Sequence, residues 1–235
     1  MPQLPQPLPN SAEAPPWLPI LYEDNHVLVV NKPAGLLSQA DLSGDLDALT
    51  AARQYLKQRY QKPGNVYVGL VHRLDRPVAG VLLLARTSKG ASRLSEQFRA
   101  QRVQRLYRAV VAGEVADDAG ALTNRLEKDR RTRKTAVVHS GGKEARLRYR
   151  VLARAAGHSL LEVELLTGLP HQIRAQLAHM GHPILGDAKY GAPGHLVAGP
   201  GFIALYAHAL SFDHPTQPRR LTVEAPPPPH WPWRD

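Results

Sequence analysis

One carboxylate set among cations is where this chain most invites a chemical reading. The stretch Val71-His72-Arg73-Leu74-Asp75-Arg76-Pro77-Val78-Ala79-Gly80 carries Asp75, and from Ala51 to Arg108 thirteen Lys or Arg face only two acids, Asp75 and Glu96. An electropositive surface attracts phosphate backbones, and a carboxylate inside it repels the same ligand. Two explanations stand for Asp75: a structural ion pair with Arg73 or Arg76, or chemistry on a nucleic acid held by its neighbours. His72 is adjacent, but successive residues rarely face each other, so it reads as structural. Arg99, Arg102, Arg105 and Arg108 recur every third residue and lead into Tyr107; we read the row as phosphate contact rather than a solvated charge face. Lys128, Arg130, Arg131, Arg133 and Lys134 form a second basic cluster in a loop, where phosphate contact and solvated surface weigh equally.

The elements that must position these groups are legible in outline. Val27 to Val30 is a β-branched run ended by Lys32-Pro33-Ala34-Gly35, a strand and then a turn. Val81 to Ala85 reads as a fully apolar strand directly after the Asp75 loop. Thr87 or Ser88 then caps a helix with Ala91, Leu94 and Phe98 on one face. Leu106 to Val111 reads as a strand, as do Ala145 to Leu152 and Leu160 to Leu166, with Ala155-Ala156-Gly157-His158 as the hairpin turn between the last two. The spacing of Ile173, Leu177 and Met180 predicts a helix over His171 to Met180, ended by Gly181. Many strands with few helices predict an α+β fold on a mixed, largely antiparallel central sheet with flanking helices and loops.

Composition bounds the function. The 235 residues carry a net charge of +10, which argues for a polyanionic partner without separating DNA, RNA and anionic membrane. No apolar run is long enough to span a bilayer, and no signal-like segment opens the chain. Zero cysteines exclude disulfides, thiolate metal sites and a cysteine nucleophile. His179 and His182 lack a third ligand at a persuasive spacing, so no metal is expected. A cytoplasmic protein is the expectation. Seven prolines within the first nineteen residues make 1–16 a mobile arm. Residues 17–226 read as one compact domain. Residues 227–235 form a tail rich in proline and tryptophan, whose two tryptophans could pack back onto it.

Three separated segments need a common explanation: the Asp75 loop, Gln104-Arg105-Leu106-Tyr107-Arg108-Ala109-Val110-Val111-Ala112-Gly113, and Thr167-Gly168-Leu169-Pro170-His171-Gln172-Ile173-Arg174. In this order they resemble the RluA-type RNA pseudouridine synthases, which isomerise uridine in RNA to its C-glycoside. The likeness extends to Val29-Val30-Asn31-Lys32-Pro33-Ala34-Gly35, to the stretch Gly181–Gly191, and to Ala207-His208-Ala209-Leu210-Ser211-Phe212. It thus spans nearly everything between the proline-rich ends. The resemblance implies that Asp75 is the catalytic aspartate and that Arg73 enters the base stack when the target uridine is flipped out. It further implies that Tyr107 lies against the uracil ring and that Arg174 pairs with the aspartate. It implies no cofactor, because the reaction is an isomerisation. RNA is the implied partner, with a ribosomal or a transfer RNA as target, and a monomer is the simpler state. The small amino-terminal RNA-binding domain of many relatives is not expected here.

Elementary chemistry fits those roles. Reaction at a ribose C1′ in folded RNA requires taking the nucleotide out of its stack, at a few kcal/mol. A guanidinium plane can fill the gap, and a tyrosine ring can stack the extruded base. A neighbouring arginine keeps an aspartate ionised where water is excluded. Whether Asp75 attacks the sugar or abstracts its C2′ proton stays open. Two positions depart from the family: Val78-Ala79-Gly80 replaces a threonine-serine-glycine ending, and Leu169 stands where arginine is usual. Two rivals remain in view. One is an inactive basic RNA-binding protein of the same fold. The other is a glycoside hydrolase, which would need a second acid beside Asp75, with Glu96, Asp187 or Glu164 as candidates.

Overall fold

The structure is a computed structural model that describes residues 15, 17–129, 131–132, 134–191 and 201–233. The proline-rich arm, Pro15 excepted, and Arg130 and Arg133 of the second basic cluster therefore lie outside the described residues.

The chain builds an eleven-stranded sheet. Its strands are β1 (Ile20–Glu23), β2 (Val27–Lys32), β3 (Gly69–Leu70), β4 (Ala79–Ala85), β5 (Gln104–Ala112), β6 (Ala119–Lys128), β7 (Thr135–Val138), β8 (Lys143–Ala155), β9 (His158–Leu165), β10 (Leu205–Asp213) and β11 (Arg220–Glu224). They lie in the order β1-β2-β4-β10-β5-β9-β8-β6-β7, with β11 on β10 and β3 on β4. Every pairing is antiparallel except that of β4 with β10. The α+β expectation holds, with α1 (Ala48–Arg59), α2 (Ser88–Arg99) and α3 (Gln172–His179) against the sheet.

β2 and β4 are apolar on both faces because both faces are covered. Leu28, Val30, Leu82 and Leu84 join the large core that includes Ala48, Ala51, Ala52, Tyr55 and Leu56 of α1. Val27, Val29, Val81 and Leu83 turn the other way, toward Leu94 and Phe98 of α2. Thr87 is the residue that caps α2, its hydroxyl accepting from Gly90 N–H at 3.1 Å. The hairpin after β8 turns on Ala156 and Gly157, both at positive φ, the two-residue geometry that matches strand twist. β8 and β9 run from Lys143 and to His158, beyond the predicted limits, and α3 starts one residue later than predicted. Trp17, Trp231 and Trp233 pack against the large core, and Trp231 meets the Tyr206 ring edge-on at 4.8 Å. Among the described residues no helix is long and apolar enough to cross a membrane.

At Gly80 the sheet's one parallel joint demands glycine. Its φ is +111°, and a Cβ there would lie 2.2 Å from the Ala207 carbonyl oxygen of β10.

Candidate active site

The Asp75 loop joins β3 to β4, and its shape is held by buried polar groups behind it. Ser38 Oγ donates to Leu74 O at 2.7 Å and accepts from Leu74 N–H at 3.1 Å. Lys32, fully buried at the end of β2, donates from Nζ to the carbonyls of Pro33, Leu36 and Arg76 at 3.0, 2.7 and 3.3 Å. Burial pushes this ammonium down to about 7, with the charge of Asp75 opposing the shift and that of Arg76 adding to it. Gly35 N–H also donates to Arg76 O at 2.8 Å, and Arg76 pairs with Asp45 at 2.8 Å. Val78 N–H closes a turn onto Asp75 O at 3.0 Å. Val78 and Ala79, the family's hydroxyl positions, are buried and apolar, so packing stands in for hydrogen bonding there.

Asp75 opens into a cleft of about 860 Å³. Arg174 Nη1 donates to its Oδ2 at 3.3 Å, and His171 Nε2 lies 3.9 Å from the same oxygen. Arg174 is itself fixed from behind. Its Nε and Nη2 donate to the two carboxylate oxygens of Asp187 at 2.6 and 2.8 Å, a bidentate pair with Asp187 only 1% exposed. Burial disfavours the Arg174 charge, but Asp187 first and Asp75 second more than offset this, and the guanidinium is held above its ordinary value. Its carbon also sits 5.1 Å from the Tyr190 ring centre. Tyr190 accepts from Thr135 N–H at 2.8 Å, and its hydroxyl is hydrogen-bonded to His171 Nδ1 at 2.9 Å, which fixes the imidazole with Nε2 toward Asp75. His171 holds this position at a φ of +55°, a left-handed residue heading α3.

Tyr107 comes from β5 on the opposite wall. Burial first, then the charge of Asp75, pushes its phenol up to about 12 against the pull of Arg105, so the ring stays neutral. Arg73 is exposed at the rim. The structure therefore brings Asp75, Arg73, Tyr107 and Arg174 to one cleft.

The arginine row does not stay together. Arg99 and Arg105 line the cleft, whereas Arg102 borders a smaller groove beside it, 3.7 Å from Glu96. Arg108 is on the other face of β5 and pairs with Glu162 at 3.1 Å. The period of three assumed one continuous face, but the chain passes from α2 into a strand whose side chains alternate. His72 is structural, as its sequence position suggested: Nε2 accepts from Leu83 N–H at 2.9 Å and the ring stacks on Phe98. Burial, helped by the charge of Arg105, pushes it down to about 3. Leu169 lines the cleft, and its N–H donates to Gln172 Oε1. Of the acids weighed for a hydrolase, Asp187 has both oxygens taken by Arg174, and Glu96 and Glu164 lie outside the cleft on Arg102 and Arg148. Asp41 reaches the cleft on the exposed 39–44 segment.

Lys32 and Ser38 carry no role in the sequence reading, and Asp187 enters it only as a candidate second acid. Lys32 and Asp187 were signalled by membership of the Val29–Gly35 and Gly181–Gly191 motifs; Ser38 belongs to neither.

This cleft in this sheet defines a known class. Residues 26–179 match the family model for RNA pseudouridylate synthase, and the chain belongs to that family. It is 38% identical over 222 residues to ribosomal large subunit pseudouridine synthase D of Xylella fastidiosa, covering 90% of this chain and 66% of that protein. It is 36% identical over 231 residues to an uncharacterized RNA pseudouridine synthase of Aquifex aeolicus, covering 94% and 72%. The first of the curated relatives are longer, the chain spanning 59–67% of their lengths. Among solved structures, human RNA pseudouridylate synthase domain containing 4 superposes with a TM-score of 0.75 at 24% identity, over 91% of this chain and 90% of that one. Its domain containing 1 counterpart gives 0.70 at 25%, over 93% and 86%.

Proposed function

We propose that the chain isomerises a uridine of large-subunit ribosomal RNA to pseudouridine, with Asp75 as the catalytic carboxylate. The observation that carries this is the Asp75–Arg174 contact at 3.3 Å within a cationic cleft that also holds Tyr107. The reaction breaks the N1–C1′ bond, turns the uracil, joins C5 to C1′, releases the C5 hydrogen as a proton to solvent and leaves N1 carrying a proton taken up in its place. It needs neither cofactor nor metal. Asp75 acts at the sugar, as nucleophile on C1′ or base at C2′. Arg174 holds and aims the carboxylate, Tyr107 stacks the uracil, and Arg73 fills the space left in the RNA. Arg99 contacts phosphate at the rim of the cleft, and Arg102 does so from the smaller groove beside it. The names of the relatives support the ribosomal target. The protein works as a monomer in the cytoplasm, its domain spanning residues 17–226.

The test is tritium release from a large-subunit ribosomal RNA transcript labelled at uridine C5. The wild type releases tritium. Asp75→Asn releases none and keeps its RNA affinity within a few-fold. Normal turnover by that variant refutes Asp75. Release from transfer RNA alone refutes the ribosomal target. Tight binding without release by the wild type marks an inactive RNA-binding protein.

A further inference from the structure

Six cations line the cleft: Arg73, Arg76, Arg99, Arg105, Lys128 and Arg174. Arg174 is held by Asp187 and Asp75, and Arg76 by Asp45. Arg73, Arg99 and Lys128 are exposed, where water solvates them. Arg105 alone is half-buried with no acceptor for its enclosed Nε and no ion pair among the described residues. Burial lowers its pKa, and no carboxylate offsets that shift. A guanidinium does not escape by losing its proton. An uncompensated cation in this position is unfavourable until an anion arrives.

Its placement says which anion. Arg105 and Tyr107 are two residues apart on β5, so their side chains leave the same face about 7 Å apart, and both line the cleft. That is the scale of a nucleotide from ring to phosphate. Across the cleft, a Cβ on Gly168 would come 2.7 Å from Arg105 Nη1. Gly168 has no positive φ, so the glycine leaves room for the guanidinium instead of serving a tight bend.

We propose that Arg105 is the receptor for the phosphodiester group attached to the everted nucleotide, gripping its non-bridging oxygens while Tyr107 stacks the ring. This rests on the reading of the cleft as a uridine site. Arg105 thereby differs from Arg102 and Arg108, which already have carboxylate partners and face elsewhere.

Binding of the large-subunit transcript is measured against salt for Asp75→Asn alone and with Arg105→Gln added. The log–log slope falls by about one unit, and affinity drops roughly tenfold to a hundredfold at low salt. Arg105→Lys restores the slope. Arg105→Gln melts no lower than the parent, because it removes an unpaired buried charge; a structural arginine would show a drop. Once the modified uridine is mapped, an oligonucleotide carrying a neutral methylphosphonate at one or the other flanking linkage places the contact. At one linkage it lowers wild-type kcat/KM tenfold or more and lowers that of Arg105→Gln no further. An unchanged salt slope, a lowered melting temperature, or penalties that multiply at both linkages overturns the assignment. If the wild type modifies no uridine, the uridine-site reading fails, and the salt slope still decides whether Arg105 takes a phosphate.

Discussion

Replacing Arg174 by methionine should damage the fold as well as the site, by a calculable amount. Asp187 is 1% exposed, and both its oxygens accept from Arg174. Removing one partner of a buried ion pair typically costs about 3–5 kcal/mol, because the other charge is left without compensation. That is a large share of a total stability of about 5–15 kcal/mol. With a urea slope near the upper end for small proteins, about 3 kcal/mol/M, the midpoint falls roughly 1–2 M. Trp17, Trp231 and Trp233 pack on the large core, so tryptophan fluorescence follows the unfolding. The double variant Arg174→Met with Asp187→Leu removes both charges and should return most of the loss, giving a coupling of at least about 2 kcal/mol. Both variants should release no tritium, since Asp75 loses its cation in each. A single variant costing less than about 1 kcal/mol, or a double variant showing the plain sum of two losses, would refute the account of Arg174 as a strut between two carboxylates. An active double variant would refute its role toward Asp75.

Tyr107→Phe keeps the ring and should hold kcat/KM within about threefold, while Tyr107→Leu loses base stacking of about 1–3 kcal/mol and falls roughly tenfold to a hundredfold in single-turnover release. The pH dependence of stability should carry a term from His72. Its folded value is about 3 and its unfolded value about 6.5, so the unfolded chain takes up the proton first. The stability it contributes is present above pH 6.5 and is lost as pH falls toward 3, about 2 kcal/mol by pH 5. His72→Gln, which can still accept from Leu83 N–H, should lose less stability between pH 7 and pH 5 in urea titrations; an equal loss would show that His72 titrates normally.

Local signals made part of this molecule legible and left the rest hidden. The Thr87 cap, the Ala156-Gly157 hairpin and the apolar Val81–Ala85 strand announce themselves because each obeys a rule within a few residues. α1 went unread because its buried face is largely small, Ala48, Ala51 and Ala52, and gives little apolar contrast. The Arg174–Asp187 pair and the bond from Lys32 to the Arg76 carbonyl join residues brought together by the tertiary fold, so neither had a spacing to betray it. The arginine period misled because helix and strand turn side chains at different angles, sending Arg105 into the cleft and Arg108 to the other face. Asp75, Tyr107 and Arg174 were reached through a whole-chain resemblance; spacing alone left Asp75 divided between ion pair and chemistry.

The insertion of β10 between β4 and β5 sets an order on assembly. The Asp75 loop belongs to the half-sheet built from the early strands, while Tyr107 and Arg174 belong to the half built around β5 and β9. The strand that bridges the halves leaves the ribosome after both of the strands it joins. A nascent chain stopped short of Leu205 has made every reacting group yet lacks the seam that joins them. Such a fragment should be inert toward the very RNA that surrounds it during synthesis.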